Sequence, residues 1–185
     1  QFGGLRAMIG INPENFEWKL SPNEEFCTPE VFLTYSANGY GQMSENYHNF
    51  LRAHLIRPRW VMQKRPILIN SWEAAYFDFD DSKIMAIAES AAKLGIEMLV
   101  LDDGWFGSRN DDRSSLGDWF VNRKKLGNLP KLIRNINKIG LKFGLGFEPE
   151  MISEDSELYR AHPDWVLSIP NRPRTLGRNQ MVLDM

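Results

Sequence analysis

The sequence predicts an α/β fold, the first part of a (β/α)8 TIM barrel entered through short antiparallel strands and a linking helix. Two patterns predict it. From Arg65 onward, continuous apolar segments of strand length alternate with amphipathic segments of helical period, as in a parallel sheet covered by helices. Polar residues then follow the apolar segments at their carboxyl ends: Asn70, Trp72 and Glu73 after the first, Asp102 and Asp103 after the second, Glu148 and Glu150 after the third, and Asp184 at the fourth. An open doubly wound sheet also satisfies the alternation. In a barrel, however, those carboxyl ends all converge on one mouth, and no glycine-rich phosphate loop opens the first helix, which counts against a dinucleotide-binding sheet.

Three regions follow in order. Residues 1–36 alternate apolar stretches (Leu5 to Ile11, Phe16 to Leu20, Val31 to Tyr35) with the turn residues Asn12-Pro13 and Ser21-Pro22-Asn23, a pattern of antiparallel strands. Residues 37–64 form a helical linker, with Met43, Tyr47, Phe50, Leu51, His54 and Leu55 on one side and Arg57-Pro58-Arg59 as its boundary. Residues 65–185 carry the barrel half. Its strands are Pro66 to Asn70, Met98 to Leu101, Lys142 to Phe147 and Met181 to Asp184. Between them, Ser82 to Leu94 stacks Ile84, Ile87, Ala88, Ala91 and Leu94 on one stripe and stops at Gly95. Leu129 to Ile139 does the same with Leu132, Ile133, Ile136 and Ile139, starting at Pro130 and ending at Gly140. Glu154 to Ala161 is a further short helix.

Composition narrows the function classes. Twenty-two Lys and Arg face 24 Asp and Glu, a formal net charge of −2, and the basic residues are scattered, so no nucleic-acid partner is expected. No apolar run reaches the roughly 18 residues of a membrane span, so no membrane partner is expected either. The single cysteine, Cys27, cannot form an internal disulfide; it reads as a small buried hydrophobe, and the expected location is cytoplasmic. The chain begins without methionine and ends on Val182-Leu183-Asp184-Met185, which reads as a strand cut short, so an internal piece of a longer protein is expected.

Asp102 and Asp103 are the most informative residues. Two adjacent carboxylates after a buried strand are costly unless something binds them. Neighbouring sugar hydroxyls, a metal ion, or backbone amides of the loop would each serve. Trp72, Trp105 and Trp119 shift the balance toward sugar, because flat apolar faces beside carboxylates match a ring of C–H groups edged with hydroxyls. Glu148 and Glu150 form a second acidic pair, of the type used in glycoside hydrolysis, where retaining enzymes hold two carboxyls about 5 Å apart; a structural role at the barrel rim is the alternative. Arg178 could orient a hydroxyl or a carboxylate, or lie on the surface. His48, His54 and His162 fall in separate places and make no catalytic or zinc set.

Five ordered motifs, Ile69-Asn70-Ser71-Trp72-Glu73-Ala74, Leu101-Asp102-Asp103-Gly104-Trp105-Phe106-Gly107, Leu116-Gly117-Asp118-Trp119, Phe147-Glu148-Pro149-Glu150-Met151 and Gly177-Arg178-Asn179-Gln180, resemble glycoside hydrolase family 36, the family of microbial α-galactosidases. The resemblance extends upstream through Ile9 to Pro13 and Gly41 to Ser44. It implies that residues 1–36 are the last strands of a β-sandwich domain preceding the barrel. It also implies a galactosyl oligosaccharide of the melibiose or raffinose type as substrate, no cofactor, no metal, and a homo-oligomer at full length. Trp72, Asp102, Asp103 and Arg178 would line the subsite for the terminal galactose, the two aspartates taking its O4 and O6 hydroxyls. This chain departs from the family's Gly-Leu-Trp-Phe-Glu-Pro-Glu at Gly146, which by the resemblance implies that an aromatic wall of the sugar pocket is missing, with room for water or a larger ring substituent. The family's nucleophile, the aspartate of a Lys-Trp-Asp motif, and its acid/base aspartate are expected beyond Met185, so no catalytic carboxylate is assigned within the chain and the fragment alone is expected to be inactive. A transglycosidase of similar fold and a non-catalytic carbohydrate-binding protein are the alternatives.

Overall fold

The computed structural model describes residues 3–4, 6–14, 16–174 and 177–184, in two compact units, Gln1–Lys64 and Arg65–Met185. In the first unit, helix α1 (Gly39–His54) is followed by a single turn, α2 (Pro58–Val61). The apolar side of α1 collects the segment before it. Phe50 packs on Phe32 with ring centroids 4.7 Å apart, Tyr47 donates its hydroxyl to the Phe32 carbonyl, and Asn46 donates to the Tyr35 carbonyl.

The expected strands of residues 1–36 do not form among the described residues. The turns do: Phe16 N–H donates to the Pro13 carbonyl, Glu24 N–H donates to that of Ser21, and Asn23 adopts a positive φ of 69°. A ladder needs a neighbouring strand and a facing layer, and here Met8, Leu33 and Tyr35 are 80% or more exposed. Cys27, expected to be buried, is exposed in this extended segment. Leu5, the start of the first predicted strand, lies outside the described residues, as does Met185.

The second unit is built on three parallel strands, β1 (Leu68–Asn70), β2 (Met98–Leu101) and β3 (Lys142–Leu145), in that spatial order. Leu68 stands opposite Met98 and Asn70 opposite Val100; Leu101 stands opposite Leu145. After β1 comes one turn, α3 (Trp72–Ala75), then the first crossover helix, α4 (Asp81–Lys93). Asp80 caps α4 by accepting from the Lys83 N–H at 2.8 Å, and Gly95, at φ 82°, ends it. Ile84, Ala88 and Ala91 are buried as the periodicity predicts, but Leu94 is 82% exposed: the helix stops one residue earlier, which turns that side chain off the stripe.

The second crossover begins with α5 (Arg123–Leu126) and continues as α6 (Leu129–Lys138), capped by Asn128. Leu132 and Ile136 of α6 meet Ile84 and Ala88 of α4 and Leu99 and Leu101 of β2 in one core. None of the helices among the described residues is long and apolar enough to cross a membrane.

The fourth predicted strand behaves differently. After β3 the chain forms β4 (Met151–Ile152), the short helix α7 (Glu157–Ala161) and β5 (Met181–Val182), and β5 pairs antiparallel with β4 rather than parallel with β3. A parallel crossover needs a dozen or more residues, ordinarily with a helix to cover the sheet. Here α7 has 5 residues and the remainder folds back, bridging Val166 to Leu183 and enclosing a small cluster of Ile152, Val166 and Met181.

Because Ile136 is fully buried where both helices meet the sheet, Ile136→Ala is expected to cost about 2–5 kcal/mol. Denaturant unfolding of the full-length protein, followed by far-UV circular dichroism, measures it.

Candidate functional site

The in-register strands deliver Asn70, Asp102 and Gly146 side by side at their carboxyl ends. Asn70 Nδ2 donates to Asp102 Oδ2 at 2.5 Å, while its Oδ1 accepts from the Trp72 N–H at 2.8 Å. The Asp102 N–H donates to Ser71 Oγ, and Asp102 Oδ1 accepts from the Asp103 N–H at 2.7 Å. Asp102 is thus fixed by neutral donors from its own strand end and its neighbour. Across β3, the Gly146 N–H donates to the Leu101 carbonyl at 2.9 Å and the Gly146 carbonyl accepts from Trp105 Nε1 at 2.8 Å.

Asp103 Oδ1 also accepts from a backbone donor, the Gly104 N–H at 2.7 Å, but is held by a cation as well. Arg109 is fully buried; its Nε donates to Asp103 Oδ1 at 2.5 Å, its Nη1 to the Ser114 carbonyl at 2.8 Å, and its guanidinium lies 5.8 and 5.7 Å from the Phe77 and Phe106 ring centres. Asp103 Oδ2 and Arg109 Nη2 are buried and have no partner. Lys125 closes the arrangement by donating to the carbonyls of Phe77 and Arg109. Burial pushes the Lys125 ammonium below the ordinary lysine value, against the opposing pull of Asp103 and Asp78.

The loop that returns Arg109 to Asp103 is specified locally. Gly107 sits at φ 54°, and a Cβ there would come within 2.6 Å of Ser115 Cβ, so only glycine permits the fold-back. Phe106 and Val121 bridge across its base, and the Asn122 N–H donates to the Trp105 carbonyl.

A cavity of about 230 Å³ opens over the strand ends, lined by Asp102, Asp103, Phe106, Leu116, Trp119, Gly146, Phe147 and Glu148. A larger hollow of about 970 Å³, beside Arg123, Lys124 and the start of α6, has no carboxylate in its lining, so the acid chemistry belongs to the smaller one. Burial pushes the Glu148 carboxyl above the usual glutamate value; Arg178 opposes that shift, and Glu150 and Asp103 add to it. Arg178 Nη1 stands 4.0 Å from Glu148 Oε1, on a turn where Arg178 and Asn179 both have positive φ. Among the described residues no three His, Cys, Asp or Glu side chains gather as a metal would require.

Of the residues singled out in the sequence, Asp102, Asp103 and Gly146 meet in this cavity. Arg178 stands at its rim through Glu148, with its side chain 62% exposed. Trp72 does not line the cavity; it packs edge-on against Tyr76 and Phe77 at 5.1 Å, tied to the site only through Asn70. Trp105 is no sugar platform either. It is 3% exposed, packed among Phe106, Trp119 and Phe147, with its N–H spent on Gly146. The aromatic lining comes from Trp119 and Phe147, whose ring centres lie 5.1 Å apart. Sequence reasoning missed Phe147, hidden as the last residue of an apolar run. It also missed Arg109, whose signal was a lone cation six residues after Asp103 in a glycine-rich loop.

The site is therefore that of a parallel α/β protein whose strand ends gather carboxylates over a small aromatic-lined cavity. The chain belongs to the Melibiase family, whose model matches residues 25–185. It is 59% identical over its whole length to the α-galactosidase AgaA of Geobacillus stearothermophilus and 51% identical to the α-galactosidase Mel36A of Lactobacillus acidophilus. The chain spans about a quarter of the length of those curated relatives, 25% in each case. A crystal structure of a GH36 AgaA variant in complex with raffinose superimposes with a TM-score of 0.89 at 59% identity, covering 95% of this chain and 24% of that one. The parallel layers are therefore those of the TIM-barrel family to which these enzymes belong.

The raised Glu148 carboxyl has a defined pH signature. The folded state keeps its proton to higher pH than the unfolded state, so stability falls as pH rises from the ordinary glutamate value, about 4.3, toward the raised one, and then levels. Glu148→Gln is expected to remove that decline, gaining on the wild type as pH rises through the window. Thermal unfolding midpoints of both proteins across that range measure it; parallel curves would contradict the burial argument.

Proposed function

We propose that this chain carries the sugar-binding half of a retaining α-galactosidase, which hydrolyses terminal non-reducing α-galactosyl groups of melibiose- or raffinose-type oligosaccharides. The observation that carries the reading is the pair Asp102–Asp103, fixed in two different ways at the end of β2 and lining one cavity with Trp119 and Phe147. A galactosyl ring needs acceptors for adjacent hydroxyls and an apolar surface for its C–H face, and these four side chains supply both. The raffinose-bound AgaA structure supports the choice of ligand class.

In this reading residues 65–185 form the first half of the catalytic barrel, and Asp102 and Asp103 accept from the sugar's O4 and O6 hydroxyls. Arg178 and Glu148 close the rim. The bond-breaking pair, a nucleophilic aspartate and an acid/base aspartate, belongs to the part of the protein beyond Met185. Retention follows from a covalent galactosyl-enzyme that water then opens. Cytoplasmic location and homo-oligomerisation are part of the same proposal.

The full-length protein is expected to release galactose from raffinose with the α-anomer formed first. Proton NMR of the initial product reads this directly: the β-anomer first sinks the retaining mechanism, and absence of release sinks the activity. Asp102→Asn keeps the shape but removes a charge-assisted acceptor worth roughly 1.5–3 kcal/mol. The expected result is galactose affinity about 10- to 100-fold weaker, measured as product inhibition.

A further inference from the structure

We propose that Arg109 is a positioning residue for the sugar-binding carboxylate of Asp103, holding it in one orientation at the edge of the cavity. The proposal rests on the α-galactosidase reading above. It adds a residue that neither lines the cavity nor touches the sugar, and that acts through another.

Four observations carry it. Arg109 is fully buried, the largest side chain in the unit to be so. A guanidinium removed from water is strongly unfavourable without partners, so its place must be explained by what it holds. What it holds is Asp103 Oδ1, through Nε at 2.5 Å, while Nη1 is spent on the Ser114 carbonyl.

Second, Asp103 lines the cavity, while its Oδ2 and Arg109 Nη2 are both buried without a partner, so the one bond from Nε to Oδ1 carries the contact between the two side chains. Third, the guanidinium cannot drift: it lies between the Phe77 and Phe106 rings, and its own carbonyl accepts from Lys125, which also donates to the Phe77 carbonyl. The chain of contacts from Asp103 through Arg109 and Lys125 to Phe77 ties the end of β2 to the segment after β1.

Fourth, the loop is bent for this return. Gly107 admits no side chain against Ser115, and Ser115 Oγ accepts from the Ser108 N–H, the residue just before Arg109. A carboxylate oriented before binding loses no rotamer freedom when the sugar arrives, which is where the gain in affinity lies.

The test uses the full-length protein with p-nitrophenyl α-galactoside and with galactose as inhibitor, comparing wild type, R109K, R109M, D103N and the double variant D103N/R109M. R109M is expected to raise KM and the galactose inhibition constant by about 30-fold, with a smaller change in kcat, and R109K to recover part of the loss. In D103N, adding R109M is expected to change these constants less than about threefold, because Arg109 acts only through that carboxylate. A merely structural arginine would instead multiply the two losses. Full multiplication, or an R109M inhibition constant within about twofold of wild type, overturns the proposal. Should R109M not fold, R109K decides in its place: unchanged KM and inhibition constant overturn the proposal, and a rise in both that vanishes in D103N/R109K supports it. A wild type without activity overturns the α-galactosidase reading and this proposal with it, whereas an active wild type with an indifferent Arg109 overturns this proposal alone.

Discussion

Parallel register is the constraint on which the site depends. Asn70 reaches Asp102 because β1 and β2 pair with Asn70 opposite Val100, and Gly146 meets the same carboxylate because Leu145 stands opposite Leu101. A slip of one residue in either pairing would send these side chains to the opposite face of the sheet. The register in turn rests on burial: Leu99 and Leu101 are fully enclosed under Ile84, Ala88 and Ile136, so their alternation cannot shift without exposing them. Core packing thereby sets the separation of polar groups that make no contact with the core.

Given that frame, the two aspartates solve one electrostatic problem in two ways. Asp102 is satisfied by an amide and a backbone N–H, which fix its direction without cancelling its charge. Asp103 is matched by a buried cation whose own desolvation is offset by a second acceptor and two aromatic faces. The pair therefore offers the cavity one fully ionic acceptor and one that is neutralised but directed. The crowding of negative charge reappears at Glu148, which burial and its acidic neighbours hold toward the protonated form despite Arg178.

Legibility in the sequence followed how local each cause was. The crossover helices and their glycine stops were readable because Ile84, Ala88 and Ala91 repeat at helical period and Gly95 and Gly140 end the helices within a few residues. The aspartate pair was readable for a similar reason, as charge set directly against an apolar strand. The strands of residues 1–36 and the pairing of Met181 were not, since a ladder depends on a partner that the segment's own pattern cannot name. Trp105 was misjudged because proximity to the acids in sequence says nothing about which way an indole faces; its N–H went to Gly146 and its ring into the core. Arg109 was invisible for the converse reason: burial of a charged side chain contradicts composition rules and is set only by a loop returning on itself.

Gly146 connects these threads. A Cβ at this position would meet Asp102 Cα at 3.5 Å, an ordinary contact, so the backbone has room for a side chain and glycine is not enforced by crowding there. What its absence changes is the wall above Asp102. The neighbouring Phe147 is 57% exposed and leans on Trp105 and Trp119 by ring contacts at 5.1 Å, so the apolar surface at the strand end is carried one residue further along the chain, in the same cavity. Apolar area is kept beside the acids while the space directly over Asp102 stays open.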